Sequence, residues 1–137
     1  LLPLKGLASG STNPQQEAPI EFKRVASLAE LDQKLKAASA QGKWVMLDFY
    51  ADWCISCKEM EAYTLNNPDV KQALSSFVLL QADVTENNDQ DKALLKAFDL
   101  IGPPAILFFN LNQQEQSSAR VIGYQEAEAF LQHLSQL

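Results

Sequence analysis

The chain has 137 residues, 47% apolar and 20% charged, so one packed domain fits and wholesale disorder does not. Eleven basic against seventeen acidic residues give a net charge of -6, which argues against the basic patch of a nucleic-acid or anionic-membrane surface. Two cysteines and one histidine exclude a disulfide-rich scaffold and leave a tetrahedral zinc site one soft ligand short.

The chain lacks an initiator methionine, as expected of a processed chain or an excised fragment. Leu1-Leu2-Pro3-Leu4 is too short for a signal-peptide core, and the longest unbroken apolar run, 105–109, falls far short of the ~18 residues of a membrane helix. Residues 6–19 are rich in Gly, Ser, Asn, Pro and Gln, so 1–19 read as a flexible tether, either a frayed end or a linker to something upstream. Residues 20–24 suit a first strand. Ser27 and Glu30 then fit a capping box that opens a helix with Leu28, Leu31 and Leu35 on one face, closed by Gly42. Residues 44–50 are apolar apart from Asp48, the pattern of a strand buried on both faces. The stretch 54–66 has no Gly or Pro and suits one helix, and Asn67-Pro68 opens a shorter one to Leu74. A buried strand over 77–82, a helix after Asn87-Asn88-Asp89, strands over 105–109 and 120–122, and a last helix over 125–137 complete the order. Helices between strands predict parallel crossovers, and the turn between the last two strands predicts a hairpin. The fold class is α/β, a mixed central sheet with helices on both faces.

Trp53-Cys54-Ile55-Ser56-Cys57 sets two cysteines three apart where a strand gives way to a helix. Residues at i and i+3 are helical neighbours, so a disulfide can close between them. As a structural brace it would contribute only about 2 kcal/mol, because it closes so small a loop. A redox-active dithiol explains the spacing better, with zinc binding and a structural disulfide as the alternatives. Cys54 would sit at the helix N-terminus, where orphan N–H groups and the dipole favour a thiolate. Cys57, one turn in and more buried, would resolve the mixed disulfide that Cys54 forms, leaving Cys54 as the exposed nucleophile. Cys54, Cys57, Lys58 and Glu61 share one helical face, so Glu61 is either a carboxylate beneath the thiols or a solvated partner of Lys58.

The segment Asp48 to Lys58 resembles the active-site segment of thioredoxins, and Gly102-Pro103-Pro104-Ala105 resembles that superfamily's cis-proline loop. The resemblance covers residues 20–137 and makes this a thioredoxin-like fold. Within the superfamily, Val45-Met46-Leu47-Asp48, Lys58 to Thr64 and Val78 to Thr85 are similar to the C-terminal periplasmic domains of the DsbD family, bacterial transmembrane thiol:disulfide interchange proteins. That resemblance implies a periplasmic protein-disulfide reductase on an inner-membrane protein, needing no cofactor beyond the Cys54–Cys57 pair and no metal. Electrons would come from cytoplasmic thioredoxin through a transmembrane domain, and pass on to the same protein's N-terminal periplasmic domain, which serves disulfide isomerases and cytochrome c maturation. The isolated domain would be a monomer, and the tether would lead to the last membrane helix. A free-standing thioredoxin-like reductase or oxidase is the alternative, and a binding or chaperone module with incidental thiols is a further one.

The resemblance also assigns roles. Asp48 matches a buried aspartate, a proton acceptor for Cys57 and a modulator of Cys54 that raises thiol pKa values and its own. With Glu61 it would keep Cys54 from being strongly acidic. Pro104 is expected to be cis and, with Pro103, Trp53, Ile55 and Ser56, to meet the partner chain. Ile55-Ser56 replaces the usual Gly-Pro, and Ala62 stands in place of a helix-kinking proline, which predicts a straighter helix. Phe49 and Tyr50 are expected in the core, and His133 at a surface or edge away from the site.

Overall fold

The computed structural model describes residues 18–137. In chain order the elements are β1 (Lys23–Arg24), α1 (Leu28–Ala40), β2 (Val45–Tyr50), α2 (Ile55–Glu59), a π-helical segment (Met60–Leu65), α3 (Pro68–Ala73), β3 (Val78–Asp83), α4 (Asp89–Ala97), β4 (Ala105–Phe109), β5 (Val121–Ile122) and α5 (Ala127–Leu134). All but the last two residues of the expected tether lie outside the described residues. From there the chain is held down: the Ala18 carbonyl accepts from Lys71 Nζ at 2.5 Å, and the Ile20 N–H donates to Asn66 Oδ1 at 2.7 Å.

The strands form one mixed sheet in the order β1-β3-β2-β4-β5. β1, β3 and β2 are parallel, and β4 runs antiparallel to both β2 and β5. The hairpin and the mixed sheet agree with expectation, but the β3-to-β4 connection is not a parallel crossover. A helix between two strands leaves open which end of the sheet the next strand starts from. Here α4 and the connector 98–104 return the chain to the end where β3 left, and Ala105 begins β4 opposite Phe49. That return places the Pro103–Pro104 loop at the end of β2 from which the cysteine turn departs.

Alternation along β2 divides the core into two layers. Val45, Leu47 and Phe49 face α1 and α4 through Leu31, Leu35, Leu94 and Leu95, and both cysteines join this layer. Met46 faces the other side, with Met60, Leu65, Val70, Ile106, Phe108 and Phe130. By the same alternation Asp48 belongs to the Met46 side.

Helix starts follow the cap residues. Ser27 Oγ accepts the Glu30 N–H at 3.2 Å, but the Glu30 carboxylate reaches back to the Ala26 N–H at 2.6 Å, one residue before the cap, so the box is offset from the pattern expected. Asn88 makes the reciprocal box with Asp91 at 2.9 and 3.2 Å. Asn88→Ala should cost about 1 kcal/mol of stability, read as a lower urea midpoint with unchanged slope. Gly42, at φ +69°, ends α1 in the left-handed region, where glycine carries no Cβ penalty.

The uniform helix expected over 54–66 is not formed. The α-helical pattern ends at Glu59 and residues 60–65 adopt a wider turn, closed by the Asn66 N–H on the Glu61 carbonyl at 3.0 Å. With alanine at 62 the wider turn comes from a change of hydrogen-bond pattern, not from a missing N–H. Side chains brace it: Thr64 Oγ1 donates to the Gln125 carbonyl at 2.5 Å, and Asn66 Nδ2 to the Glu61 carbonyl at 2.7 Å.

Candidate active site

β2 delivers its last residue, Tyr50, to a tight turn in which the Cys54 N–H donates to the Ala51 carbonyl at 3.1 Å. Cys54 is extended and caps α2: its Sγ accepts the Cys57 N–H at 3.1 Å. Cys54 and Cys57 are joined as a disulfide with their Cα atoms 5.3 Å apart, inside the range such a bond allows. The Cys57 sulfur lies 3.9 Å from the Phe49 carbonyl oxygen, so it faces the sheet. Cys54 is not the exposed residue expected. It is only 7% accessible against 4% for Cys57, with its sulfur joined to Cys57 and accepting the Cys57 N–H in the first turn of α2. The exposure falls on its neighbours, Trp53 at 60% and Ile55 at 74%, with Ser56 half-buried between the thiols.

Asp48 is 5% accessible and pairs in register with Gln81 of β3. Gln81 Nε2 donates to Asp48 Oδ2 at 3.0 Å, a polar pair set inside the second apolar layer. Burial pushes the Asp48 carboxyl from an ordinary 3.8 up to about 7; the Gln81 amide pulls it down, and the charge of Glu61 pushes it up again. The charge of Glu61 thus reaches Asp48. Glu61 is half-buried at the start of the π segment, next to Met60 of that same layer. Lys58 turns away from it to Tyr50, with Nζ 3.4 Å from the phenol oxygen and 6.0 Å from the ring centre.

The Pro103–Pro104 peptide is cis, and both prolines are half-buried. The Pro104 carbonyl accepts the Gly123 N–H at 3.1 Å, which ties the loop to the end of β5. Ile101, just before this loop, and Ile122, paired with Ala105, stand exposed, as Trp53 and Ile55 do on either side of Cys54 in the chain. Phe49 is fully buried, as expected, and Tyr50 is half-buried with its phenol donating to Asp52 Oδ1 at 3.1 Å. His133 has a packing role away from the site: its Nε2 lies 2.6 Å from the Ala119 carbonyl, and its ring packs on Phe108.

Two participants escape sequence reasoning. Gln81 is one, although a polar residue inside a buried strand opposite Asp48 is a usable signal. Thr85 is the other. It lies just past β3 and bonds to the cysteine turn through both its hydroxyl and its carbonyl. Among the described residues no cluster of three or more His, Cys, Asp or Glu side chains could hold a metal, and no helix is long and apolar enough to cross a membrane. The chemistry open to this arrangement is exchange at the disulfide: an incoming thiolate attacks one sulfur, the other leaves as a thiolate, and the reverse runs from the dithiol.

The thioredoxin-like family model matches residues 26–110. The chain is 55% identical over 132 residues to the thiol:disulfide interchange protein DsbD of Klebsiella pneumoniae, a match covering 96% of this chain and 22% of that protein. It is 52% identical over 122 residues to DsbD of Vibrio cholerae, covering 89% of this chain and 20% of that protein. It therefore spans less than a quarter of the length of these relatives. Among solved structures it superposes on the oxidised C-terminal domain of Neisseria meningitidis DsbD with a TM-score of 0.72 and 38% identity, covering 85% of this chain and 98% of that one. A thioredoxin from Thermus thermophilus, at 23% identity and a TM-score of 0.68, shares the fold. The chain belongs to the thioredoxin-like family and, within it, to the C-terminal domains of the DsbD thiol:disulfide interchange proteins.

Proposed function

We propose that this domain relays electrons in the periplasm by dithiol/disulfide exchange. It takes them from a transmembrane domain of the same protein and hands them to that protein's N-terminal periplasmic domain, with residues 1–19 as the tether toward the membrane. In the forward step the Cys54 thiolate attacks the partner's disulfide and one partner sulfur leaves as a thiolate. Cys57 then attacks Cys54 in the mixed disulfide, releases the partner's second sulfur, and leaves Cys54–Cys57 oxidised. Two electrons go to the partner, and its two thiolates take up the protons that the domain's thiols lose.

The observation that carries this reading is the Cys54–Cys57 disulfide at the helix cap, with the Cys57 N–H aimed at Cys54 Sγ. A donor there stabilises a thiolate on Cys54, both as nucleophile and as leaving group. The exposed Trp53 and Ile55 beside Cys54, with Ser56 and the cis Pro103–Pro104 loop, suit a protein partner. Asp48 and Glu61, when ionised, disfavour a thiolate and hold Cys54 back from strong acidity, which suits a donor of electrons over an oxidant. The domain itself works as a monomer, without metal or added cofactor, and the electrons it passes on serve disulfide isomerases and cytochrome c maturation.

Trapping tests the relay. Reduced Cys57→Ser protein, mixed with the oxidised N-terminal domain, should accumulate a mixed disulfide through Cys54, seen on a non-reducing gel and mapped by mass spectrometry. Capture of small thiols alone from a periplasmic extract containing that domain would reject the relay. A free-standing oxidase would instead show the reduction potential of a strong oxidant.

A further inference from the structure

Trp53 is both exposed and held. Its side chain is 60% exposed, yet its indole Nε1 donates to the Thr85 carbonyl at 3.0 Å. The same threonine takes the preceding residue as well: the Asp52 N–H donates to Thr85 Oγ1 at 2.9 Å. With its oxygen accepting there, the hydroxyl proton goes to Asp83 Oδ1, in a short contact, and that carboxylate oxygen also accepts the Thr85 N–H at 3.0 Å. Asp83 Oδ2 is held at 3.0 Å by Arg24 of β1. The direction of the chain is thus fixed, from ionised carboxylate to hydroxyl to main-chain amide. Burial pushes the Asp83 carboxyl up, but Thr85 and Arg24 outweigh it and the net shift is downward, so the anchor stays charged at neutral pH. The Val84 N–H on the Tyr50 carbonyl at 2.8 Å ties the two turns together at their base.

We propose that Thr85 is a positioning residue for partner docking: with its hydroxyl and its carbonyl it clamps the Asp52–Trp53 turn, and so presents the Trp53 indole beside Cys54 as a fixed platform for an incoming protein chain. This rests on the exchange reading above. An exposed side chain that a partner must immobilise charges its entropy to the complex, and one already fixed does not. An indole offers a large contact area once it is held. A small disulfide reaches the sulfurs without touching the platform, so the clamp should matter for protein partners alone.

The test uses the full chain with Thr85→Val, which keeps the shape and removes the hydroxyl, and Thr85→Ser, which keeps the hydroxyl. Both are also made in a Trp44→Phe background, where Trp53 is the one remaining indole. In Thr85→Val, Trp53 fluorescence anisotropy should decay with a fast component absent from the parent. The rate of exchange with the oxidised N-terminal domain should fall about fivefold, the kinetic value of one hydrogen bond. The rate with oxidised glutathione and the reduction potential should stay at wild-type values, and Thr85→Ser should restore both affected readings. An indole equally immobile in Thr85→Val overturns the hydroxyl's part in the clamp, since the substitution leaves the carbonyl that the indole bonds. A freed indole with an unchanged partner rate overturns its role in docking, and equal losses with both disulfides assign Thr85 to the thiols instead. Wild-type protein that reduces glutathione but never the N-terminal domain would reject the relay itself, with the clamp still decided by anisotropy.

Discussion

Cys54→Ser should reduce exchange with any disulfide to the uncatalysed background, whereas Cys57→Ser should react once and stop. The asymmetry follows from the helix cap. Cys54 Sγ is the sulfur that receives the Cys57 N–H, at 3.1 Å, and it lies between the exposed Trp53 and Ile55. Serine forms no disulfide, and its hydroxyl stays protonated at any pH the fold tolerates, so the first bond never forms. Cys57, with its sulfur 3.9 Å from the Phe49 carbonyl, faces the sheet and meets a partner only after Cys54 has bound one. Its removal therefore spares the attack and blocks the release. Stopped-flow mixing of each reduced variant with Ellman's reagent under native conditions separates the two steps. The Cys57→Ser protein should give a fast single phase, and the Cys54→Ser protein should give only the slow phase of a buried thiol. Comparable fast phases from both variants would refute the assignment of roles.

Much of this chemistry is legible in the residue order. The three-residue spacing of the cysteines after a buried strand signals a dithiol, because helical geometry makes such residues neighbours. Asp48 stands out as the one charge in an apolar strand, and its burial bears that out. What the sequence hides depends on partners distant along the chain. The π turn over 60–65 has no Gly or Pro to announce it, and its brace is a threonine bonded to residue 125. The direction of β4 rests on how far the connector 98–104 carries the chain back. The near-burial of Cys54 in the disulfide is likewise absent from the spacing. Thr85 reads as an ordinary residue after a strand until the parallel pairing of β2 with β3 brings the two turns together. The cysteines can be found from spacing alone, but Gln81, which bonds Asp48, and Thr85, which bonds the cysteine turn, come from β3 and its end, which lie beside β2 only in the folded sheet.

Asp48→Asn should stabilise the protein at pH 8 by roughly 2–4 kcal/mol and have no such effect at pH 3.5. The native carboxyl holds its proton up to about 7, while the unfolded one releases it near 3.8. Between those values the folded state binds more protons than the unfolded state, so wild-type stability falls as pH rises through the window. Below it both states are protonated and the difference vanishes; above about 7 the folded protein carries the full cost of a buried charge. Asparagine removes the charge and keeps an oxygen to accept the Gln81 amide. Urea unfolding at a series of pH values reads the effect, with wild-type and variant curves diverging from pH 4 to pH 7. Gln81→Met, which removes the hydrogen bond that favours the charged carboxylate, should move the upper end of the window to higher pH. Parallel curves for wild type and Asp48→Asn would show that the carboxyl ionises normally. In that case Asp48 could not exchange a proton near neutral pH, and its part in tuning the thiols would fall with it. If the curves diverge as expected, the domain holds a buried acid whose charge changes in the pH range where the exchange runs, placed in the layer where Glu61 can act on it.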